Sequence, residues 1–265
     1  MKVLDLNNPF DAPVYHKETV SSTFDTARLL AAANERHGTV ITADFQEAGR
    51  GRQNRSWIAE RGKNLMFTIL LRYGDFSSIP KALTLKTGLA VSLAVEDLTP
   101  SLAGQVFVKW PNDVMISPLK ARDARKTGAY KVSGILTEYD GNNVYIGVGV
   151  NVAQKEFPEE YSSRAGSVIH VFPDLSENAR FILLEKILFR LYGEIRDALN
   201  NTWHERILDR LYKKGETVTF ADGPAGSDRL VKGVLSGLNP DGELLIIPCG
   251  ETKTRSFVTG ELQVY

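Results

Sequence analysis

Hydrophobic positions in the first 212 residues alternate between helical and strand spacing. An apolar residue every three or four positions predicts helices over 25–36, 80–98, 177–199 and 203–212, with Pro80 in the first turn of the second. Short β-rich apolar runs predict strands over 39–43, 64–72, 105–110, 132–139 and 143–152. The residues before 25 show neither period, so we expect an irregular start. This mixture is typical of an α+β domain.

The pattern changes after Lys213-Lys214-Gly215. From there, short β-rich runs alternate with Gly, Pro and Asp turns and predict strands over 217–220, 230–238, 243–248 and 254–258. About 50 residues of this kind are typical of a small antiparallel barrel. We therefore predict two domains, an α+β domain over 1–212 and a β-barrel domain over 213–265.

Composition limits the kind of partner. The 32 Lys and Arg residues balance the 32 Asp and Glu residues, so no overall field attracts nucleic acid or an anionic membrane. The single Cys249 excludes an intramolecular disulfide and a cysteine-based zinc site. The N-terminus lacks the apolar core of a signal peptide, and no segment approaches the roughly 20 apolar residues that span a bilayer. We expect a cytoplasmic protein.

A basic loop is predicted over residues 47–57, EAGRGRQNRSW. Gly49 and Gly51 permit unusual backbone angles and lose entropy when the loop is fixed. Arg50, Arg52 and Arg55 carry guanidinium groups, which bind carboxylate and phosphate through charge-assisted hydrogen bonds of about 1.5–3 kcal/mol each. The loop therefore suits an anion that orders it on binding. A solvated basic loop explains GRGR equally well when the stretch is taken alone.

Two further motifs end or interrupt predicted strands. The turn at 109–113, KWPND, carries Asn112 and Asp113, whose oxygens suit Mg²⁺ or a ribose; taken alone, simple turn capping explains it better. Lys131 opens the run KVSGILTE, and Gly134, like the glycines of GVGV at 147–150, suggests close approach by a ligand. For a single strand, a surface lysine beside a bulge glycine is the more common explanation.

Taken together, the motifs resemble a known family. GRGRQNRSW, KWPNDV, KVSGILTE and GVGVN, in this order, with Ser22-Thr23 before the first helix and Gln46 before the loop, resemble the biotin protein ligases (biotin–acetyl-CoA-carboxylase ligases). The resemblance covers roughly residues 18–152. It implies a class II synthetase-like mixed sheet with helices packed on it, followed by an SH3-like barrel.

The resemblance also implies an activity and its participants. Family members couple biotin to ATP, giving biotinyl-5′-AMP and pyrophosphate, and pass the biotinyl group to one lysine of a biotin carboxyl carrier protein. It thus implies biotin and ATP as substrates, Mg²⁺ as a cofactor and a carrier domain as partner. A lipoate or octanoate ligase, and a non-catalytic biotin sensor or nucleic-acid-binding protein on this scaffold, stay open as alternatives.

Roles for single residues follow from the same resemblance. Lys131, Arg50 and Arg52 are expected to be catalytic. The residues expected to bind biotin are Ser22, Thr23, Gln46, Gly49, Arg50, Gly51, Arg52, Lys131 and Gly134. Those expected on the nucleotide side are Arg52, Arg55, Trp57, which would stack on adenine, Asn112, Asp113 and Asn151. Asp113 is also the candidate metal ligand.

Two departures from the family pattern stand out. Phe24 occupies the position where relatives commonly have Asn, so a polar contact is missing or is supplied by Asp25. The segment 117–130 is longer than usual, and from Lys120 to Lys131 it has five basic residues and one acid. We hypothesise that it steers an acidic carrier domain, while a solvated insertion without a role is equally compatible.

The sequence also indicates which partners other than the carrier domain are expected. Only about 20 residues precede Ser22-Thr23, far fewer than a DNA-binding domain of 50 or more needs. We therefore expect the monofunctional type of ligase, with neither nucleic acid nor membrane as a partner. The sequence leaves open whether the chain forms a homodimer.

Overall fold

The computed structural model describes residues 1–118, 128–176, 178–196, 202–224 and 226–263. Within them, one sheet has eight strands in the order β1-β2-β3-β4-β8-β7-β6-β5. Its strands are β1 (Lys2–Leu4), β2 (Val14–Val20), β3 (Thr39–Gln46), β4 (Leu65–Arg72), β5 (Val106–Lys109), β6 (Asp113–Ile116), β7 (Tyr130–Tyr139) and β8 (Asn143–Val150). β2 and β3 pair in parallel and the other neighbours antiparallel, so the sheet is mixed.

Helices cover both faces of this sheet. The helices of the described residues are α1 (Thr23–Ala32), α2 (Leu83–Leu98), α3 (Glu159–Ser162), α4 (Ala179–Arg196) and α5 (Trp203–Leu208), of which α1, α2 and α4 make these contacts. α1 packs on one face through Phe24, Ala27 and Leu30, against Ile41, Leu70 and Tyr145. α2 and α4 pack on the opposite face, where the larger apolar cluster lies. Because side chains alternate along a strand, Gly147 and Gly149 lie on the same face as Tyr145, towards α1.

A second, five-stranded antiparallel sheet follows. Its strands are β9 (Thr217–Asp222), β10 (Leu230–Leu238), β11 (Leu244–Pro248), β12 (Arg255–Phe257) and β13 (Gly260–Gln263), in the order β12-β11-β10-β9-β13. Its apolar side packs against α2 and α5, with Phe220 and Leu235 in one cluster with Leu89 and Trp203. The predicted α+β domain and SH3-like barrel are thus confirmed as a fold, while the boundary at 212/213 stays a prediction.

Three local predictions are wrong. Residues 2–20 are not irregular but contain β1 and β2. In β2 only Val14 and Val20 are buried, so the sequence shows no alternation of apolar and polar residues from which a strand could be predicted. Pro80 lies outside α2, whose N-cap is Ala82 in the left-handed region at φ 54°. Strands β6 and β13, of 4 residues each, are also absent from the prediction.

No helix in the described ranges combines the length and the apolar character that crossing a bilayer requires.

Candidate active site

A cleft of 660 Å³ lies beside the N-terminus of α1, where the two sheets approach each other. This volume is in the range of small-molecule sites, about 300–1,000 Å³. Its walls come from the end of β3, the basic loop, the β5–β6 turn, β7, β8, the segment 157–165 and β13. All the residues predicted for the site line this cleft except Ser22 and Gly49, so the sequence motifs meet in one place.

The floor of the cleft is formed by glycines against aromatic rings. Gly134 and Gly149 pair across β7 and β8. A Cβ atom on Gly149 would lie 2.4 Å from the Trp57 ring, and one on Gly147 would lie 2.1 Å from the Phe24 ring. Trp57 therefore lies flat on the sheet, and its buried Nε1 has no hydrogen-bond partner among the described residues. The indole is a surface on which a flat ligand group can stack.

Arg50 and Arg52 of the basic loop each contact a side chain outside the loop. Arg50 Nη2 lies 2.7 Å from Asp25 Oδ1, and its guanidinium lies over the Phe24 ring at 5.5 Å. Arg52 Nη1 donates to Asn112 Oδ1 at 3.0 Å. Phe24, which departs from the family pattern, and its neighbour Asp25 thus contact the loop directly.

Two backbone hydrogen bonds close the loop on itself. Gly51 N donates to Arg55 O at 2.7 Å, and Trp57 N donates to Gly49 O at 2.9 Å. A Cβ atom on Gly49 would meet Trp57 O at 2.7 Å, which explains the glycine. Gly49 therefore shapes the loop without lining the cleft.

Two lysines surround one carboxylate at the β5–β6 end of the cleft. Lys131 Nζ lies 2.6 Å from Asp113 Oδ1, and Lys109 Nζ lies 3.9 Å from Asp113 Oδ2. The Lys109 side chain is only 3% exposed, and this burial lowers the pKa of Lys109, although Asp113 opposes the shift. Burial likewise lowers the pKa of Arg52, again opposed by Asp113. This end of the cleft is a concentrated positive site suited to anions.

The barrel contributes one carboxylate to the site. Glu261 of β13 accepts hydrogen bonds from Arg55 Nη1 at 3.0 Å and Arg55 Nη2 at 2.7 Å. This bidentate contact lowers the pKa of Glu261 and raises the pKa of Arg55. Glu261 was not predicted for the site.

Asn151 contacts the chain at the end of the segment 157–165, which lines the cleft. Its Nδ2 donates to Gly166 O at 3.1 Å, and its buried Oδ1 has no hydrogen-bond partner among the described residues. Lys131 is tied to the same segment, since its backbone N donates to Arg164 O at 2.8 Å. Asn151 and Lys131 thus both bond to the stretch of chain that carries Tyr161 and Arg164 into the lining of the cleft.

The opposite end of the cleft is neutral and polar. Thr23 N donates to Gln46 Oε1 at 2.8 Å, and Thr23 Oγ1 donates to the same oxygen at 3.0 Å. Ser22 caps α1 instead of facing the cleft, because its Oγ accepts from Phe24 N at 3.2 Å. Its part in a ligand site is therefore to hold Thr23 at the first turn of α1.

Sequence reasoning missed Lys109, Tyr161, Arg164 and Glu261 as residues of the cleft. Lys109 lies inside the KWPND motif, so its position next to a buried strand was an available signal. The other three reach the cleft through long-range packing that leaves no local pattern. Most of the basic insertion, residues 119–127, lies outside the described residues, so the steering hypothesis stays a prediction.

Within the described ranges, no group of three or more His, Cys, Asp or Glu side chains is arranged to hold a metal ion. Asp113 is the predicted metal ligand, and two lysine ammonium groups surround it. The two carboxylates of the cleft, Asp113 and Glu261, are thus each engaged by basic side chains, and the described residues form no complete metal site.

Comparisons with known proteins agree with the motifs. A family model described as the Biotin/lipoate A/B protein ligase family matches residues 17–151. The Bifunctional ligase/repressor BirA of Bacillus subtilis (strain 168) is 36% identical over 196 residues, covering 71% of this chain and 55% of that protein. The Biotin--[acetyl-CoA-carboxylase] ligase of Mycobacterium tuberculosis (strain ATCC 25618 / H37Rv) is 33% identical over 175 residues, covering 63% and 60%.

A solved structure agrees with the whole fold. "Biotin protein ligase from Aquifex aeolicus in complex with biotin and ATP" is similar with a TM-score of 0.74 and 28% sequence identity, covering 94% of this chain and 97% of that one. The chain spans about half the length of the Bacillus ligase/repressors that it matches, 54% and 55%.

Proposed function

This chain belongs to the biotin/lipoate A/B protein ligase family, and from that premise we propose that it is an ATP-dependent biotin protein ligase. It forms biotinyl-5′-AMP and pyrophosphate from biotin and ATP, and it transfers the biotinyl group to one lysine of a biotin carboxyl carrier protein. The observation that supports this most is the cluster of Arg52, Lys109 and Lys131 around Asp113 at one end of the cleft.

In the first half-reaction, an oxygen of the biotin carboxylate attacks the α-phosphorus of ATP, and the bond from that phosphorus to pyrophosphate breaks. Both reacting groups are anions, so nearby positive charge must offset their repulsion and stabilise the transition state. We assign this work to Lys131 and Arg52, with Arg50 contributing from the loop. Asp113 and Asn112 hold the first two in place, at 2.6 Å and 3.0 Å.

The cleft offers a separate surface for each end of the product. Thr23 and Gln46 form the polar end for the biotin ring system. Trp57, lying flat over Gly149, is assigned as the stacking surface for adenine, and Arg55 and Asn151, which also line the cleft, are assigned to the nucleotide as well. Ser22 and Gly49 support this arrangement from behind, through the α1 cap and the loop turn.

In the second half-reaction, the amine of a carrier lysine attacks the acyl carbon of biotinyl-5′-AMP. The carbon–oxygen bond to the phosphate breaks, AMP leaves, and the amine loses a proton. Until then, the mixed anhydride must be kept from water, which is the advantage of a loop that closes over it. Arg52 belongs to that loop and contacts Asn112 across the cleft.

Magnesium is proposed as a companion of the ATP phosphates. Mg²⁺ is usually held by one or two carboxylates together with substrate phosphates, and Asp113 is the carboxylate here that fits this role. Asp113 would then serve both Mg²⁺ and Lys131, whose Nζ lies 2.6 Å from its Oδ1. A cytoplasmic location, an acidic carrier domain as partner and a homodimer are further proposals.

The proposed function is tested with the purified chain, biotin, ATP and a carrier domain. We expect pyrophosphate release that depends on biotin, and a carrier that gains one biotinyl group on one lysine by mass spectrometry. Lipoic acid and octanoic acid replace biotin in parallel reactions. Modification of the carrier with lipoate but not with biotin would show that the chain is the other kind of ligase in this family.

A further inference from the structure

Thr68 stands behind the polar end of the cleft and does not line it. It lies in β4 opposite Gly147, and its side chain is fully buried at 0% exposure. Its Oγ1 donates to Thr23 Oγ1 at 2.8 Å, and Thr23 Oγ1 donates in turn to Gln46 Oε1 at 3.0 Å. A chain of three hydrogen-bonding side chains thus runs from the sheet to the cleft.

The direction of this chain is determined by one backbone group. Thr23 N lies 2.8 Å from a terminal atom of Gln46, and a backbone N–H can only donate. That atom of Gln46 is therefore the carbonyl oxygen. Because Thr23 Oγ1 contacts the same oxygen, its hydroxyl must donate to it, and the Thr68 hydroxyl must then donate to Thr23.

This orientation makes the other terminal atom of the Gln46 amide the nitrogen, Nε2. Among the described residues, its Nε2 has one hydrogen-bond acceptor, the thioether of Met66 at 3.5 Å, and a thioether is a weak acceptor. Gln46 lines the cleft, so its N–H groups are the ones available to a ligand. We infer that Thr68 is a positioning residue for Gln46. By donating to Thr23 Oγ1, it directs the Thr23 hydroxyl to donate to Gln46 Oε1, and this bond reinforces the one from Thr23 N that holds the Gln46 amide as a donor to a carbonyl oxygen of the ligand.

The strand order supports an elongated ligand with this chemistry. Gln46 ends β3 and Lys131 lies in β7, three strand spacings away in the sheet, which is roughly 14 Å. A molecule with a carbonyl oxygen at one end and a carboxylate at the other can contact both. This inference rests on the proposed function, in which the ureido carbonyl of biotin is the acceptor.

The test compares Thr68→Val, which keeps the branched shape without the hydroxyl, with Thr68→Ser, which keeps the hydroxyl. We expect Thr68→Val to raise the Kd and the KM for biotin about tenfold, with kcat and the KM for ATP unchanged. Thr68→Ser should stay within about twofold of the wild type, since it restores the same donor. Thermal melting of both variants shows whether they are folded.

A second ligand distinguishes a positioning role of Thr68 from a role in packing alone. 2-Iminobiotin replaces the carbonyl oxygen with a protonated nitrogen, which donates. We expect the wild type to prefer biotin and Gln46→Glu to favour 2-iminobiotin. Thr68→Val should reduce the preference for biotin, because the Thr23 hydroxyl can then turn to accept from the Gln46 amide, and only Thr23 N still holds the amide orientation. Equal weakening of both ligands by Thr68→Val would assign Thr68 to packing alone, and an unchanged Kd for biotin would also overturn the inference. If the wild type binds no biotin, the proposed function fails, and this inference fails with it.

Discussion

Arg55 in the basic loop donates two hydrogen bonds to Glu261 in β13, at 3.0 and 2.7 Å, across 206 residues of sequence. This contact joins the loop that is proposed to enclose the reactants to the barrel. The barrel therefore has a direct route to the site, although it carries none of the sequence motifs.

Glu261→Gln should loosen the basic loop. Glutamine cannot offer two acceptors to a guanidinium, and both side chains are partly exposed, so the pair is worth only about 0–1 kcal/mol of stability. We expect faster hydrogen exchange of residues 50–57 and a KM for ATP raised about threefold to tenfold, with little change in Tm. Glu251→Gln, which removes an exposed ion pair within the barrel, is the control and should change neither the hydrogen exchange of residues 50–57 nor the KM for ATP.

The same contact predicts a dependence on pH. The Arg55 hydrogen bonds lower the pKa of Glu261 below its usual value of about 4.3. A group whose pKa is lowered by folding stabilises the protein above its unfolded pKa, and this stabilisation disappears as the pH falls through the folded pKa. The difference in unfolding free energy between wild type and Glu261→Gln should therefore be present at neutral pH, decline as the pH falls below about 4.3, and vanish only below the lowered pKa of Glu261 in the folded protein. A difference that persists in acid would place its origin elsewhere.

Lys131→Ala should abolish most adenylation, because it removes an ammonium from the point where two anions meet. A loss of several kcal/mol of transition-state stabilisation corresponds to a fall in kcat/KM of at least about 10²-fold. Lys131→Arg should recover little, since a planar guanidinium does not replace a compact ammonium in a fitted site. Rates of carrier biotinylation check both, and near-normal activity in Lys131→Ala would remove this lysine from the mechanism.

Arg52→Gly should weaken retention of the intermediate. The substitution deletes the contact from the loop to Asn112 at 3.0 Å and increases the entropy lost when the loop closes. We expect more free biotinyl-5′-AMP in solution and biotin on unrelated lysines of bystander proteins, measured by mass spectrometry. Release no greater than that of the wild type would contradict the role given to Arg52.

Gly149→Ala should disrupt the floor of the cleft. The new methyl group would lie 2.4 Å from the Trp57 ring, which must move away from its position over β8. We expect the KM for ATP to rise about tenfold or more, with a destabilisation of about 1–3 kcal/mol from overpacking. Gly193→Ala in α4, where a Cβ meets nothing within 4 Å, is the matched control and should be neutral or slightly stabilising.

Burial determines which strands could be predicted from the sequence. β4 and β8 are buried over nearly their whole length, so their apolar runs identify them, while β2 has few buried positions and gives no signal. The motif residues, predicted from their order along the chain, meet in one cleft. The roles of Thr68 and Glu261 depend on contacts made only in the folded chain, so no local pattern reveals them.

The family and the fold class predicted from the motifs are confirmed. The roles of single residues stay predictions until they are measured. Phe24 illustrates why: the missing Asn leaves a site that the ring fills, packed against Gly147 and under the Arg50 guanidinium at 5.5 Å. From sequence alone this substitution reads as a loss, whereas the structure gives the ring two contacts.

The central claim is that the positive charges of the cleft let a carboxylate react with ATP. Exchange of labelled pyrophosphate into ATP measures this reaction directly, without a carrier protein. We expect exchange in the wild type that requires biotin and that falls at least about 10²-fold when Lys131 and Arg52 are both replaced by Ala. Exchange that proceeds without biotin, or that survives the loss of both charges, would contradict it.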